Sequence, residues 1–565
     1  MDHHYYYLDN FHKVLGWVDA HHRDLLVEHE LAFLDVFRAL PLAAQALFVR
    51  MAMRKGELFR SARLRYEEVG DPLQAAAPLV SQGWLDDAPL LHAGDIGNLL
   101  TRSELAVHFN SIITSASWPK QRMMQVLLEQ YPQPRRWAEW CPMASDSVLH
   151  FRLGALCDRL RVMFFGNARQ DWSEFVLADL GIFRYETVPL APGSRAFATR
   201  AEVDAYLQMH ACVQRLEEGE PPESVLANVP DQPYANDWLE SRRARVLFRI
   251  AMQFERAGRF LDALHLHLKN GHPEARVRAI RMLERLDRYP EACALATEAL
   301  REPRCEAELQ HVTRMAPRLA RALRSRHHNV THQADAVLSM VPRPAASSVV
   351  SRTVSLPEAL RQSSVELALA SWLSRPDAPV YYVENMLFNA LFGLFFWDIL
   401  FAPVPGAFFH PFHSGPADLL RPEFHARRAH LFDARLQELD RGDHAERMVR
   451  TWREKSGLQC WFVNWNLFQA DPGRPEETPR LLQLALDCIP PQHLKAVFAR
   501  LCRDVRNNGA GFPDLIQFFP DEGTYSLIEV KGPGDRLRDN QQRWLHYLAE
   551  HGLPVAVCHV RWAEK

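Results

Sequence analysis

The chain lacks the sequence features of secreted, disulfide-rich and membrane-spanning proteins. None of its nine cysteines belongs to a C-x-x-C pair, which argues against a structural zinc site and a disulfide framework. A secretory signal has a basic segment followed by an apolar one, and the N-terminus of this chain has no such pattern. The most apolar stretch, 386–401, is interrupted by Asn389 and Asp398 and is too short to span a bilayer. We therefore expect a buried helix there, no membrane association, and a soluble intracellular protein in the cytoplasm, the nucleoid or a nucleus.

Lysine is also scarce, because only eight of the 66 basic residues are lysine and the rest are arginine. Arginine is the better bidentate partner for phosphate. The net charge of −3 does not point to nucleic acid, and it does not exclude it, since binding depends on local basic patches. No G-x-x-x-x-G-K-[ST] loop is present, so a nucleotide-driven motor is excluded. The 565 residues are enough for several domains.

The N-terminal region, 1–95, has the pattern of a small helical domain. Residues 25–60 carry apolar side chains at helical spacing. A shorter helical segment follows, with Gly83 as its stop and Trp84-Leu85 beyond it. The pattern fits a helix-turn-helix or winged-helix unit, and it also fits an ordinary helical packing domain.

The next region, 96–230, begins with a helix–loop–helix pattern over 98–130. Thr101 and Glu104 form a capping box at the start of the first helix, and Pro119 suits the first turn of the second. A two-helix DNA-binding motif of the SAP type has this pattern. Many helical hairpins share it, so both interpretations remain open.

Region 231–345 contains an internal repeat, in which FERAGRFLDAL (254–264) aligns with LERLDRYPEAC (283–293). In each copy an aromatic and a small residue follow a tight turn, as at the bend of a helical hairpin. We predict a tetratricopeptide-like scaffold that could bind protein partners; an ordinary stack of helical hairpins would have the same architecture. The segment 341–358, rich in Pro, Ser and Ala, predicts a linker before the last domain, 356–565.

The segment GFPDLIQFFPDEGTYSLIEVKGPG (511–534) predicts a β-hairpin. Two β-type runs flank the turn Pro-Asp-Glu-Gly at 520–523. If Phe519 faces Thr524, then Asp514 faces Glu529 across the hairpin. Residues two apart lie on the same face of a strand, so Lys531 joins these carboxylates, and the side chain of Val530 points the other way.

This constellation favours metal-assisted hydrolysis of a phosphodiester. Two carboxylates held together repel each other unless a cation lies between them. With oxygen ligands alone, that cation should be Mg²⁺ or Mn²⁺. Lys531 can orient the attacking water or stabilise negative charge on the phosphorus. The alternative is a surface hairpin with an ordinary cross-strand ion pair; the Pro-Asp…Glu-x-Lys spacing favours the nuclease.

These motifs resemble the VRR-type nuclease module of the Pro-Asp…(Asp/Glu)-x-Lys superfamily. Together with VENMLFNALFGLFFWDILF (383–401) and TWREKSGLQCWFVNW (451–465), they are similar to the Fanconi-associated nucleases. The resemblance implies winged-helix, SAP-type and tetratricopeptide-like helical regions, followed by a restriction-endonuclease-like α/β core. It also implies a 5′ flap endonuclease with 5′→3′ exonuclease activity that acts on branched DNA in the repair of interstrand crosslinks.

The resemblance also implies further site residues. Glu384 matches the family's third metal-binding carboxylate, and the backbone carbonyl of Val530 should bind the metal as well. Gln541 matches the glutamine of the following helix, near the site or the DNA backbone. The alternative for Glu384 is a carboxylate that merely opposes a helix dipole. Candidate phosphate contacts around the hairpin are Arg503, Arg506 and Arg536, each of which is otherwise a solvated surface group.

Two rival functions remain open. One is a restriction-type or Holliday-junction nuclease with the same chemistry. The other is a scaffold without enzymatic activity, in which the helical repeat binds protein partners and the nuclease fold is catalytically inactive. The intact Asp514, Glu529 and Lys531 argue against the second.

Overall fold

The computed structural model describes residues 5–190, 194–326, 331–341, 349–474 and 476–563. The chain forms two compact units. The first consists of Met1–Phe183 with Ala191–Asp204, and the second of Arg184–Leu190 with Ala205–Lys565.

The first unit combines helices with two small sheets. Its helices are α1 Tyr6–His22, α2 Glu28–Ala39, α3 Leu42–Ala52, α4 Pro72–Ser81, α5 Ala93–Leu99, α6 Arg102–His108, α7 Lys120–Gln130, α8 Trp137–Trp140, α9 Gly154–Phe165 and α10 Ser173–Asp179. Its strands are β1 Leu58–Arg60, β2 Leu85–Asp86, β3 Leu90–Leu91, β4 Arg135–Arg136 and β5 Val148–Phe151. The sheets have the orders β1-β5-β2 and β3-β4.

Two helix boundaries predicted in this unit are confirmed, whereas Pro119 lies just before its helix and not in the first turn, and the helical segment predicted over 25–60 ends in the strand Leu58–Arg60. Gly83 ends the α4 segment with a positive φ of 70°, which glycine adopts without strain. The strand β2 follows at once. The hydroxyl of Thr101 accepts a hydrogen bond from the backbone N–H of Glu104, whose carboxylate in turn accepts from the N–H of Thr101. This is the predicted capping box.

The second unit contains the helical repeat and the α/β core. Its helices are α11 Arg200–Glu217, which contains the limit between the two units, α12 Pro222–Leu226, α13 Asp237–Arg256, α14 Phe260–Leu268, α15 Ala275–Arg285, α16 Tyr289–Arg301, α17 Glu306–Arg326, α18 Thr331–Ser339, α19 Val365–Leu373, α20 Leu387–Phe395, α21 Trp397–Leu400, α22 Glu423–Ala426, α23 Ala429–Arg441, α24 His444–Lys455, α25 Arg480–Cys488, α26 Pro491–Arg503, α27 Val505–Asn508 and α28 Asp539–Glu550.

The internal repeat is a pair of helical hairpins, as predicted. The turns between α13 and α14 and between α15 and α16 each place one residue at positive φ, Gly258 at 75° and Asp287 at 57°. The residue just before each second helix is an arginine paired to an acidic residue three positions on, Arg259 with Asp262 and Arg288 with Glu291. The small residue after each turn is fully buried, so the two helices of each hairpin approach closely.

The α/β core is built on a five-stranded mixed sheet of order β6-β10-β9-β8-β7. Its strands are β6 Val350–Leu356, β7 Val380–Tyr382, β8 Leu515–Phe519, β9 Thr524–Lys531 and β10 Val555–Trp562. Strands β8 and β9 form the hairpin, and Phe519 pairs with Thr524 and Leu515 with Ile528. The predicted register is therefore confirmed.

Helices cover both faces of this sheet. On one face α19 packs against Leu515, Ile528 and Val530. On the other, a larger helical layer packs against Ile516, Phe518 and Leu527. Helix α20 lies in that layer with every residue buried, which confirms the buried helix expected from the apolar stretch. No helix in the described ranges is long and apolar enough to cross a membrane.

The predicted linker over 341–358 is wrong in its second half. Residues 342–348 lie outside the described residues, but Val350–Leu356 is an edge strand that pairs in parallel with β10. The sheet therefore starts at Val350, before the predicted start of the nuclease domain at 356. The segment lacks helical periodicity because it is a strand, and five of its seven residues are exposed because it lies at the edge of the sheet.

Candidate active site

The loop that carries Asp514 is held by the segment after β7. Strand β7 pairs with β8, and the backbone N–H of Val383 extends this pairing by donating to the carbonyl of Asp514 at 2.8 Å. The side-chain oxygen of Asn385 accepts from the backbone N–H groups of Gly511 (2.7 Å) and Phe512 (3.1 Å). Gly511 has a φ of 106°, which a residue with a side chain rarely adopts.

Asp514 points toward the end of β9. Its Oδ2 accepts a hydrogen bond from the backbone N–H of Val530 at 2.8 Å, and the residue is only 5% exposed. Burial raises the pKa of the Asp514 carboxyl to about 6; the Val530 N–H opposes that rise, and the negative charge of Glu384 adds to it. The charged form of this buried carboxylate is poorly solvated, and a nearby cation would stabilise it.

Glu529 is completely buried on the same face of β9 as Lys531. Its Oε1 lies 2.7 Å from Nζ of Lys531, while neither carboxylate oxygen accepts a hydrogen bond of good geometry. Burial, together with the charge of Asp514, raises the pKa of Glu529 to about 7. The predicted clustering of Asp514, Glu529 and Lys531 is therefore present, and the Val530 side chain lies in the core on the opposite face.

Glu384 lies two residues beyond β7, close enough that its charge raises the pKa values of both Asp514 and Glu529. Its Oε2 accepts from the hydroxyl of Tyr382 at 2.5 Å and its Oε1 from the side chain of Asn385 at 3.3 Å. The hydrogen bond to Glu384, followed by burial, raises the pKa of Tyr382. Glu384 therefore borders the site but is turned toward its own chain neighbours.

Lys531 is positioned by Gln541. Its Nζ lies 3.2 Å from Oε1 of Gln541, which also accepts the backbone N–H of Arg538 at 2.9 Å and so caps α28. Both Lys531 and Gln541 are buried. The lysine ammonium is thus fixed between Glu529 and the start of α28.

The donor set suits a hard divalent ion. All the candidate ligands are oxygens, two of the carboxylates are buried, and Glu529 has oxygens without a well-formed hydrogen bond, as expected where a cation is needed. Within the described ranges, however, no three His, Cys, Asp or Glu side chains already converge as a metal-binding group. The carboxylate of Glu384 is instead hydrogen-bonded to Tyr382 and Asn385.

The three arginines predicted to contact phosphate lie outside this cluster. Arg503 ends α26, Arg506 lies in α27, and Arg536 follows the hairpin, and all three are exposed. None of them forms an ion pair within the part of the chain that the structure describes. Their contact with DNA stays a prediction.

Three domain families match the chain. The FAN1 helix-turn-helix domain matches residues 5–86, the Fanconi anemia-associated nuclease SAP domain residues 90–140, and the VRR-NUC domain residues 440–562. A Fanconi-associated nuclease 1 homolog of Pseudomonas aeruginosa is 46% identical over 558 residues, which cover 99% of this chain and 96% of the relative.

The chain belongs to the Fanconi-associated nuclease 1 family. The predicted nuclease activity, the helix-turn-helix and SAP interpretations of the N-terminal region and the α/β nuclease core are thereby confirmed.

Relatives outside bacteria are longer. A Fanconi-associated nuclease 1 homolog of rice is 26% identical over 617 residues, which cover 98% of this chain and 62% of the relative. A solved structure of paFAN1 bound to 5′ flap DNA with a 2-nucleotide flap and a gap has 46% identity, a TM-score of 0.92 and full coverage of both chains.

Sequence analysis of this family member does not identify Tyr382 and Asn385 as site residues. Tyr382 donates a hydrogen bond to Glu384, and Asn385 holds the loop that leads to Asp514. Asn385 adopts a positive φ of 52°, a conformation that asparagine tolerates better than most residues. The presence of an asparagine at position 385 is the only local feature of the sequence that is compatible with this backbone conformation. The contact of Asn385 with Gly511 spans more than a hundred residues and cannot be deduced from local pattern.

The helical repeat also contacts the nuclease helix that carries Gln541. On α17, His311 and Arg314 both pair with Asp539, the first residue of α28, and His311 Nε2 lies 2.8 Å from Asp539 Oδ2. Arg543 donates to Gln310 of the same helix at 2.6 Å. The repeat therefore supports the nuclease core of this family member in addition to any partners it binds.

We expect Gln541→Ala to lower the cleavage rate about tenfold, as loss of an orienting partner often does. The change removes the hydrogen bond that fixes Lys531 and the cap of α28. Single-turnover cleavage of 5′ flap DNA measures it. Gln483→Ala, on the exposed face of α25 where the Gln483 side chain donates to Asp487, is the matched control and should leave the rate unchanged. An equal loss in both variants would contradict a positioning role.

Proposed function

We propose that this chain is a structure-specific nuclease that cuts 5′ flap DNA and degrades it in the 5′→3′ direction, using Mg²⁺ or Mn²⁺. The observation that carries the chemistry is the cluster of Asp514, Glu529 and Lys531 at the end of the β8–β9 hairpin. The biological setting we propose is repair of interstrand crosslinks inside the cell, with branched DNA as the principal partner and protein partners on the helical repeat.

In this proposal the ion is held by Glu384, Asp514, Glu529 and the backbone carbonyl of Val530. When bound, it would lower the pKa of a water and neutralise charge on the phosphate. To serve as a ligand, Glu384 would give up its hydrogen bond from Tyr382. Lys531, held by Gln541, donates to the attacked phosphate or orients the water.

The proposed assignment to 5′ flaps draws on the family. The relative paFAN1 is similar over the full length of this chain and has been solved with 5′ flap DNA. We assign four regions accordingly: a winged-helix-like domain at 1–95, a SAP-type region at 96–230, a tetratricopeptide-like repeat at 231–345 and a nuclease whose sheet begins with Val350–Leu356. Arg503, Arg506 and Arg536 are proposed to contact the DNA backbone.

A cleavage ladder on end-labelled 5′ flap DNA, with and without Mn²⁺, tests the proposal. We expect incision near the flap junction followed by a 5′→3′ ladder, only with metal. Preferred cleavage of intact duplex would favour the restriction-type alternative, and preferred cleavage of a four-way junction the Holliday-junction alternative. No cleavage of any substrate would favour the non-catalytic scaffold.

We also expect the full chain to bind a 5′ flap or nicked duplex more tightly than an intact duplex of equal length. The chain carries a net charge of −3, so affinity must come from local basic surfaces. DNA that bends cheaply at a nick or junction can reach more of them. Both affinities should fall with salt, more steeply for the flap, because it neutralises more phosphates. Binding titrations at several salt concentrations measure both slopes. Equal affinities and equal slopes would refute this selectivity.

A further inference from the structure

An exposed tryptophan contacts the backbone that leads into the Asp514 loop and has no part in the chemistry above. Trp461 follows α24, in the loop before the 3₁₀ helix Trp465–Phe468, and 45% of its surface is exposed. Its chain neighbours Phe462 and Val463 are buried, at 4% and 6% exposure. A large aromatic ring held at the surface by two buried neighbours is costly to leave in water.

The loop that presents this ring is tightly anchored. The backbone N–H of Trp461 donates to the carbonyl of Ser414 at 2.7 Å. Its indole packs edge-on against the ring of Phe462, with centroids 4.8 Å apart. Val463 lies so close to Gly393 of α20 that a Cβ on this glycine would be 2.7 Å from Val463 Cγ2. The indole is therefore preorganised and would lose little entropy on binding a ligand.

The ring also touches the backbone that leads into the Asp514 loop. A Cβ placed on Gly509 would lie 3.2 Å from Cη2 of Trp461. The carbonyl of Gly509 accepts from Asn389 of α20 at 2.8 Å, and Gly511 is held by Asn385, the neighbour of Glu384. The indole thus contacts the segment that leads to Asp514, and that segment is held in turn by Asn389 and Asn385, close in sequence to Glu384.

We propose that Trp461 is a stacking platform for one unpaired nucleobase of the DNA strand next to the cleaved phosphate. This inference rests on the proposed function and extends it by a base-binding subsite. An aromatic ring stacks on any of the four bases, so it fits an enzyme that selects DNA structure rather than sequence. A base seated there would fix the position of the neighbouring phosphate relative to Asp514 and Glu529.

The matched control is Trp372, because it and Trp461 are the two exposed tryptophans in the described part of the chain. Trp372 is 51% exposed and lies near the end of α19, the helix that covers the other face of the sheet. Loss of either indole removes a similar exposed surface. Trp461 contacts Gly509, in the segment leading to Asp514, whereas Trp372 lies on α19.

The test is binding of 5′ flap DNA to the full chain in EDTA, where cleavage is blocked, for wild type, Trp461→Ala, Trp461→Phe and Trp372→Ala. Stacking of one base on an aromatic ring corresponds to about 5–150-fold in affinity. We expect Trp461→Ala to raise the Kd for flap DNA about tenfold. Trp461→Phe should retain most of the wild-type affinity, and Trp372→Ala should have the wild-type Kd. The affinity for intact duplex should not change in any variant.

A set of flaps with a single abasic nucleotide at successive positions locates the base. One abasic position should weaken wild-type binding as much as Trp461→Ala does, and should cause no further loss in that variant. The stacking proposal would be overturned if Trp461→Ala bound flap DNA as tightly as Trp372→Ala does. It would also be overturned if the loss caused by each abasic position were the same in wild type and in Trp461→Ala. Either result would leave the proposed function intact. A wild type that binds flap no better than intact duplex would overturn both.

Discussion

Replacement of Asp514 by Asn, or of Glu529 by Gln, should reduce metal-dependent cleavage of 5′ flap DNA by about 10³-fold or more, since several kcal/mol of transition-state stabilisation depend on the ion. The amides keep the shape of the carboxylates but cannot balance the charge of a divalent cation. In Asp514→Asn, the amide oxygen can still accept the hydrogen bond from the Val530 N–H that the carboxylate accepts now. Single-turnover rates in saturating Mn²⁺ measure the loss.

The same variants should keep their fold. Burial raises the pKa values of Asp514 and Glu529, so each carboxylate is costly to keep charged and a neutral amide of the same shape removes that cost. Glu529→Gln also removes the ion pair with Lys531, but the lysine keeps its hydrogen bond to Gln541. Without metal, we expect thermal unfolding within a few degrees of wild type, and only wild type should be stabilised by added Mn²⁺. Asp521→Asn in the exposed turn of the same hairpin is the control and should behave as wild type in both assays.

Lys531→Ala should lower the cleavage rate by about 10²–10³-fold, the usual cost of removing one fixed donor that meets charge in the transition state. Affinity for flap DNA should stay nearly constant, because one phosphate contact among many is a small share of binding. Rates under single-turnover conditions and Kd values in EDTA separate the two effects.

Lys495→Ala is the matched control for this substitution. Lys495 lies on α26 of the same domain, is partly exposed, and pairs with Asp440 at 2.6 Å, away from the carboxylates. We expect it to retain the wild-type rate. Equal losses of rate and affinity in Lys531→Ala would make Lys531 a docking residue and not a catalytic one.

The catalytic hairpin could be derived from the sequence because its determinants are local. The Pro-Asp-Glu-Gly turn sets the register, and the alternation of side chains in β9 then places Glu529 and Lys531 on one face. The positions of Asp514 and Val530 follow from the same two facts. No contact from outside the hairpin is needed to bring these residues together.

The rest of the site depends on pairings between distant segments. Glu384 reaches it because β7 pairs with β8 more than a hundred residues later, and family resemblance rather than local pattern identified this carboxylate. Strand β6 was mistaken for a linker because its partner β10 comes two hundred residues later. Sequence periodicity does not predict the hydrogen bond between Tyr382 and Glu384 or the contacts of α17 with Asp539.

Binding of Mn²⁺ to the full chain, measured from the electron paramagnetic resonance signal of the free ion, tests the central claim most directly. The account predicts saturable binding by wild type in the presence of flap DNA. It also predicts that Glu384→Gln, Asp514→Asn and Glu529→Gln each weaken this binding, while Glu522→Gln in the exposed hairpin turn does not. Wild-type binding curves for all three site variants would contradict the assignment of these carboxylates as the metal site.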